Sequence, residues 1–149
     1  MVEQQYDRRR IESFGRKVTP LVRGYLVENG PGALMGIPTA GRLFAVELYK
    51  RLLTPGSVDP FVDVIYLEPE RDKIISAFQQ IGDRLRGRHL IVVDDDIHTK
   101  QTYEKVTNEL DSLREEYDIK SINWAVEFDG PGVATWACNR INNGNKARV

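Results

Sequence analysis

Apolar residues return at helical spacing through the N-terminal segment. Tyr6, Ile11, Phe14, Val18, Leu21, Val22, Tyr25 and Leu26 predict a helix over Glu3 to Asn29. Pro20 is expected to kink or split it, because a proline removes one N–H and crowds the preceding turn. Gly30-Pro31-Gly32 ends it. The apolar run Ala33 to Ile37 reads as a buried strand, and Pro38 closes it. From Gly41 to Leu53 a second helix is predicted: Phe44, Leu48 and Leu52 form one row, and Ala45, Tyr49 and Leu53 form the next. Phe61 to Leu67 alternates and is β-branched enough for a strand. Glu68 to Arg88 has two readings. Ile74, Ile75, Phe78 and Ile81 suit one helix face, while the charge density suits a mobile loop. His89 to Val93 reads as a continuous apolar strand after its first residue, ending in Asp94-Asp95-Asp96. A helix follows from Thr99 to Tyr117, with Val106, Leu110, Leu113 and Tyr117 on one stripe. Ile119 to Phe128 is a further strand, and the polar tail from Asn139 to Val149 is expected to fray.

Strands alternating with helices predict an α/β fold: a single domain with a central, mostly parallel sheet flanked by helices. The chain's 149 residues suit one such domain. In sheets of this kind ligands bind beyond the carboxyl ends of the strands. Polar, turn-forming residues fall there in two segments, Gly36 to Arg42 and Asp94 to Thr102. Lys plus Arg is 21 and Asp plus Glu is 22, a net charge of -1. That balance argues against a general binder of nucleic acid or anionic membranes, so any anionic ligand must be met by a local site. A single cysteine, Cys138, excludes an intramolecular disulfide and leads us to expect a reducing, cytoplasmic setting. It reads as a packing residue, with no histidine near it in sequence to activate it. The polar N-terminus shows no signal peptide, and no apolar run reaches the roughly 20 residues that span a bilayer.

The chemistry concentrates in Leu90-Ile91-Val92-Val93-Asp94-Asp95-Asp96-Ile97-His98-Thr99-Lys100-Gln101-Thr102. A buried strand delivers paired carboxylates, a short turn follows, and a helix then begins with hydroxyl residues in its first turn. Free backbone N–H groups and the helix dipole favour a phosphate at that start. The carboxylates suit sugar hydroxyls, or a magnesium ion held through water. Phosphate at one end and polyol at the other describe a ribose 5-phosphate. An acidic turn with an N-capped helix would carry the same residues without any ligand.

The segment Val92 to Thr102 resembles the phosphoribosyl-diphosphate signature of the type I phosphoribosyltransferases. Ala33-Leu34-Met35-Gly36-Ile37-Pro38-Thr39-Ala40-Gly41-Arg42-Leu43-Phe44-Ala45 is similar to the family's pyrophosphate loop and following helix, and Arg84 to His89 to its lead into the signature strand. The resemblance covers roughly residues 33 to 128. It implies an N-terminal helical segment over about 1–30, a core over 33–128, and a base-side segment and tail over 129–149. The implied activity is Mg²⁺-dependent transfer of phosphoribose from phosphoribosyl diphosphate (PRPP) to a nucleobase-like nitrogen, with release of pyrophosphate. A non-catalytic regulatory protein that binds PRPP or a nucleotide is the alternative, and a homodimer is the assembly left open.

The resemblance also implies a role for each matched position. Asp94 and Asp95 would hold the ribose hydroxyls and the metal. Asp96, Ile97, Thr99, Lys100, Gln101 and Thr102 would surround the 5-phosphate. Thr39, Ala40, Gly41 and Arg42 would take the pyrophosphate. His98 occupies the variable position where some members carry a general base, and an exposed turn residue is its other reading. Trp136 and Ala137 lie where some members stack a base, and a core tryptophan is the alternative. Two residues depart from the family pattern. Lys100 stands where glycine is usual, and Asp96 where an apolar residue is usual. Trp124 to Asp129 also lacks the lysine of members that use 6-oxopurines. The family's mobile catalytic loop would fall between Glu68 and Arg88.

Overall fold

The computed structural model describes residues 2–38, 40–56, 58–70, 73–142 and 145–148, and side chains outside 2–7, 102 and 140–148. Its elements are α1 (Val2–Asn29), β1 (Gly32–Gly36), α2 (Gly41–Leu53), β2 (Val64–Leu67), α3 (Ile74–Ile81), a 3-10 turn (Gly82–Leu85), β3 (His89–Ile97), α4 (Lys100–Arg114), β4 (Ser121–Asp129), β5 (Trp136–Asn142) and β6 (Asn145–Arg148). They form one sheet in the order β2-β1-β3-β4-β5-β6, parallel throughout except for β6, which runs antiparallel to β5.

Strand alternation divides the core between the two faces of this sheet. Leu34, Ile91, Val93 and Ala125 meet Phe14, Val18, Val22 and Leu26 of α1 and Phe44, Leu48 and Leu52 of α2. Ala33, Met35, Leu90, Val92 and Val126 meet Phe78 of α3 and Leu110 and Leu113 of α4. Five parallel strands between two helical layers are the architecture the alternating pattern predicts. The chain leaves β1 toward β2, then crosses back to place β3 on the other side of β1. The connection direction reverses between β1 and β3, so a crevice opens above their carboxyl ends.

Several elements differ from their sequence-based expectation. α1 is neither split nor interrupted at Pro20, which sits inside the helix. Burial of the stripe Phe14, Val18, Val22 and Leu26 holds the helix together despite the lost N–H. Between Glu68 and Arg88, α3 forms and buries Ile74, Ala77 and Phe78, whereas Ile75 faces solvent. β3 does not stop at Val93. Its pairing with β4 continues through Asp96↔Phe128 and Ile97↔Asp129, because the ladder needs only backbone groups and tolerates the acids. The polar tail pairs as well: β5 and β6 form an antiparallel pair through Asn139↔Arg148 and Asn142↔Asn145.

β4 and β5 are parallel neighbours joined by Gly130–Thr135 without a crossover helix. The turn must drop from the level of Asp129 to that of Ala125, which pairs with Trp136. Asp129 stitches it. This fully buried carboxylate accepts N–H groups from Gly132 at 2.9 Å, Val133 at 3.1 Å and Ala134 at 2.8 Å. Among the described residues, no helix is long and apolar enough to cross a membrane.

Candidate active site

The two segments singled out in the sequence meet at the β1/β3 crevice. The Ile37 N–H donates to the Val93 carbonyl at 2.9 Å, carrying the β1–β3 pairing past the end of β1. α2 then starts directly against β3. A Cβ on Gly41 would lie 2.7 Å from the Val93 carbonyl and 3.1 Å from Oδ1 of Asp94, so only glycine allows this approach. Ala40, the residue before the helix, makes no side-chain cap. The first-turn N–H groups of α2 are thereby carried to the side of Asp94, with no side-chain cap from Ala40. Thr39 lies outside the described residues. Arg42 points elsewhere: its Nε donates to Oε1 of Glu68 at 2.6 Å, beyond the end of β2. The same carboxylate accepts from the Tyr66 hydroxyl at 3.4 Å. Burial first, then Glu68, pushes the Tyr66 phenol up to about 12.

Asp94 accepts the Asp95 N–H on Oδ1 at 2.8 Å. Burial chiefly, and then the side-chain hydrogen bond and charge of Asp95, push its carboxyl up to about 8, against the opposing pull of that backbone N–H. Burial thus disfavours the charged form of Asp94 in the free protein. Asp96 turns toward α1, where Arg10 bridges it at 2.8 Å to Glu127 at 3.2 Å. Burial raises the Asp96 carboxyl and Arg10 opposes the rise. The side chain of Ile97 is in the core. His98 is largely exposed, with Nε2 3.6 Å from Oδ2 of Asp96 and its ring tilted against Phe128.

α4 begins at Lys100, after Thr99 in an extended conformation (φ -132, ψ 152) whose hydroxyl makes no cap bond. The first turn of α4 thus also presents N–H groups that its N-cap side chain leaves free, the arrangement that receives phosphate oxygens. Lys100 and Gln101 are exposed at this start, and the side chain of Thr102 lies outside the described residues. Asp94, Asp96, Ile97, His98 and Thr99 line a pocket of about 240 Å³ together with Tyr103 and Trp124.

Tyr103 and Trp124 were not singled out from the sequence as site residues. Their rings stand 5.1 Å apart, and the Trp124 indole Nε1 is buried without a hydrogen-bond partner among the described residues. Extending the apolar stripe of α4 back one turn from Val106 would have reached Tyr103. Trp136 does not join this group. It packs edge-on to Tyr25 of α1 at 5.4 Å, level with Ala125 in the sheet, and Ala137 is buried on the opposite face. Cys138 is buried in the core as expected, and burial pushes its thiol up to about 11.

No family model matches the chain, and no curated protein matches it in sequence. Solved structures do match. A purine phosphoribosyltransferase from Pyrococcus horikoshii Ot3 superposes with a TM-score of 0.61 at 19% identity, over 89% of this chain and 83% of that one. The fold is that of the type I phosphoribosyltransferases. The hypoxanthine phosphoribosyltransferase of Trypanosoma cruzi shares this phosphoribosyltransferase fold at TM-score 0.60 and 17% identity, covering 91% of this chain and 79% of that one. A hypoxanthine phosphoribosyltransferase from Staphylococcus aureus does so at TM-score 0.57 and 15% identity, over 89% and 76%. Within the phosphoribosyltransferase fold, the segments that resembled the family's pyrophosphate loop and phosphoribosyl-diphosphate signature are those that flank the β1/β3 crevice, whereas Arg84 to His89 leads into the opposite end of β3.

Proposed function

We propose that this chain binds PRPP across the β1/β3 crevice and transfers its phosphoribosyl group to a nucleobase-like nitrogen. The observation that carries the reading is the meeting of three groups at one crevice. These are the acid pair Asp94-Asp95 and the uncapped starts of α2 and α4. In this reading the α4 start and Thr99 take the 5-phosphate, with the Lys100 ammonium added. Asp94 and Asp95 accept the ribose hydroxyls, and the start of α2 takes the diphosphate. Asp96 and Ile97 contribute backbone at most, since a carboxylate repels phosphate and the Ile97 side chain is in the core. The acceptor nitrogen forms its bond to C1 as the C1–O bond to diphosphate breaks, and the nitrogen's proton leaves. His98, exposed beside Asp96, is the candidate to take that proton. Positioning and stabilisation of the departing diphosphate would supply most of the rate.

The donor set suits magnesium in part. Among the described residues no cluster of three or more metal-ligating side chains exists. Mg²⁺ commonly uses only one or two carboxylates and completes its shell with substrate phosphates and water, and Asp94 with Asp95 can provide the first share. When bound, the ion would neutralise charge on the diphosphate. The single buried thiol fits a reducing, cytoplasmic setting.

A second reading, a non-catalytic sensor of PRPP or a nucleotide, is favoured by Lys100 in the phosphate turn and by Arg42 being held by Glu68 away from the acids. One experiment separates them: the protein with PRPP, Mg²⁺ and a panel of bases, followed by pyrophosphate release and by calorimetry. Release with at least one base supports transfer. Heat of binding without release supports the sensor, and tighter binding by Lys100→Gly would add to it. Neither heat nor thermal shift at millimolar PRPP would overturn both, since a ligand specific to the folded state must stabilise it.

A further inference from the structure

A larger cavity than the crevice pocket lies elsewhere on the molecule. It is a cleft of about 840 Å³ between α1 and α2, bordered by the loop that follows α2. Four cations line it: Arg16 and Arg23 from α1, Lys50 and Arg51 from α2. Its anions are Glu47 and Asp59, and both are engaged. Glu47 accepts from Arg51 at 2.5 Å, and Asp59 accepts the Gly56 N–H at 3.1 Å within its own loop. The cleft is therefore cationic on a chain whose net charge is -1.

Arg23 is the decisive residue. It is only 7% exposed, and its Nη2 donates to the Arg51 carbonyl at 2.8 Å. Its Nη1 has no hydrogen-bond partner, and no carboxylate pairs with it among the described residues. One helical turn earlier, Thr19 is also 7% exposed, and its buried hydroxyl has no partner among the described residues. A buried guanidinium without a counter-charge is costly, and an anion is what removes that cost. Glycines make the room: nothing lies within 4 Å of a Cβ built on Gly24, while one on Gly15 would run into the Arg51 guanidinium. We propose that this cleft is a second binding site, for a small molecule that carries a phosphate group. The guanidinium forks of Arg23 and Arg16 suit phosphate oxygens, and Thr19 adds a hydroxyl donor. Pro20, Val27 and Pro60 line the remainder and suit an organic body of about nucleotide size. The site is distinct from the crevice. α2 begins at Gly41 beside Asp94 and reaches the cleft from Glu47 onward, about 9 Å along its axis.

The test is residue-resolved NMR of the full chain, titrated with inorganic phosphate and then with a nucleoside monophosphate. Amides of Gly24, Lys50 and Arg51 should shift with both, and the nucleotide should bind more tightly. Arg16 and Lys50 are exposed, so Arg16→Glu with Lys50→Glu leaves the core intact. That double variant should weaken binding in the cleft by at least about tenfold, and spare shifts at Thr99 to Gln101. Arg23→Lys, which keeps the charge and loses the fork, should weaken it less. Absence of cleft shifts at tens of millimolar phosphate would overturn the proposal. So would unchanged affinity in the double variant, or a concentration-dependent dimer that covers the cleft and separates in that variant.

Discussion

Asp94 is a carboxylate whose surroundings oppose its charge, and that has a consequence for the whole protein's stability. Its proton is held to about pH 8, against 3.8 for an ordinary aspartate. A folded-state pKa above the unfolded one means that the stabilising contribution is complete below about pH 4 and is lost as pH rises toward 8. Asp94→Asn should remove that loss. Urea denaturation at pH 4 and pH 9 should show the variant near parity at the lower pH and more stable by about 1–3 kcal/mol at the higher, after allowance for partial exposure. Parallel stability curves would mean that Asp94 is charged throughout. At this scale the acid pair, Thr99 and Lys100 were legible because strand, acids and helix start are consecutive in sequence. The Arg10–Asp96 pair was not, since its partners stand 86 positions apart and no local pattern links them.

Among the elements, those with apolar periodicity were legible, and those held by backbone pairing alone were not. α2 forms over Gly41–Leu53 as its apolar rows predict. β3 runs on through three acids, and β5 and β6 pair in a tail that reads as polar, because ladder hydrogen bonds carry no signature in side-chain hydropathy. The turn between β4 and β5 depends on one side chain. Asp129→Ala leaves three N–H groups, those of Gly132, Val133 and the buried Ala134, without their acceptor. It should cost about 2–4 kcal/mol, and Asp129→Asn less, since an amide oxygen still accepts. Urea denaturation of both variants is the check. A loss below about 0.5 kcal/mol for alanine would show that the turn holds without its stitch.

For the molecule as a whole, alternating strands and helices made the layered architecture and the location of the crevice legible. The sequence did not reveal which helix face carries an uncovered charge, because the α1–α2 cleft exists only once both helices are docked. The same distinction between near and far contacts governs how the chain assembles. β4 and β5 become parallel neighbours through Gly130–Thr135 alone, whereas β1 meets β3 only after α2, β2 and α3 have been looped out between them. Closing the short loop loses less chain entropy, so pairing of β4 with β5 should precede pairing of β1 with β3. Pulse-labelled hydrogen exchange during refolding should protect the amides of Ala125 to Phe128 before those of Leu34 to Gly36. Asp129→Ala should slow the early protection as well as weaken the final state. A stitch that shapes one turn of the finished sheet would thereby also set the order in which its strands are won from the unfolded chain.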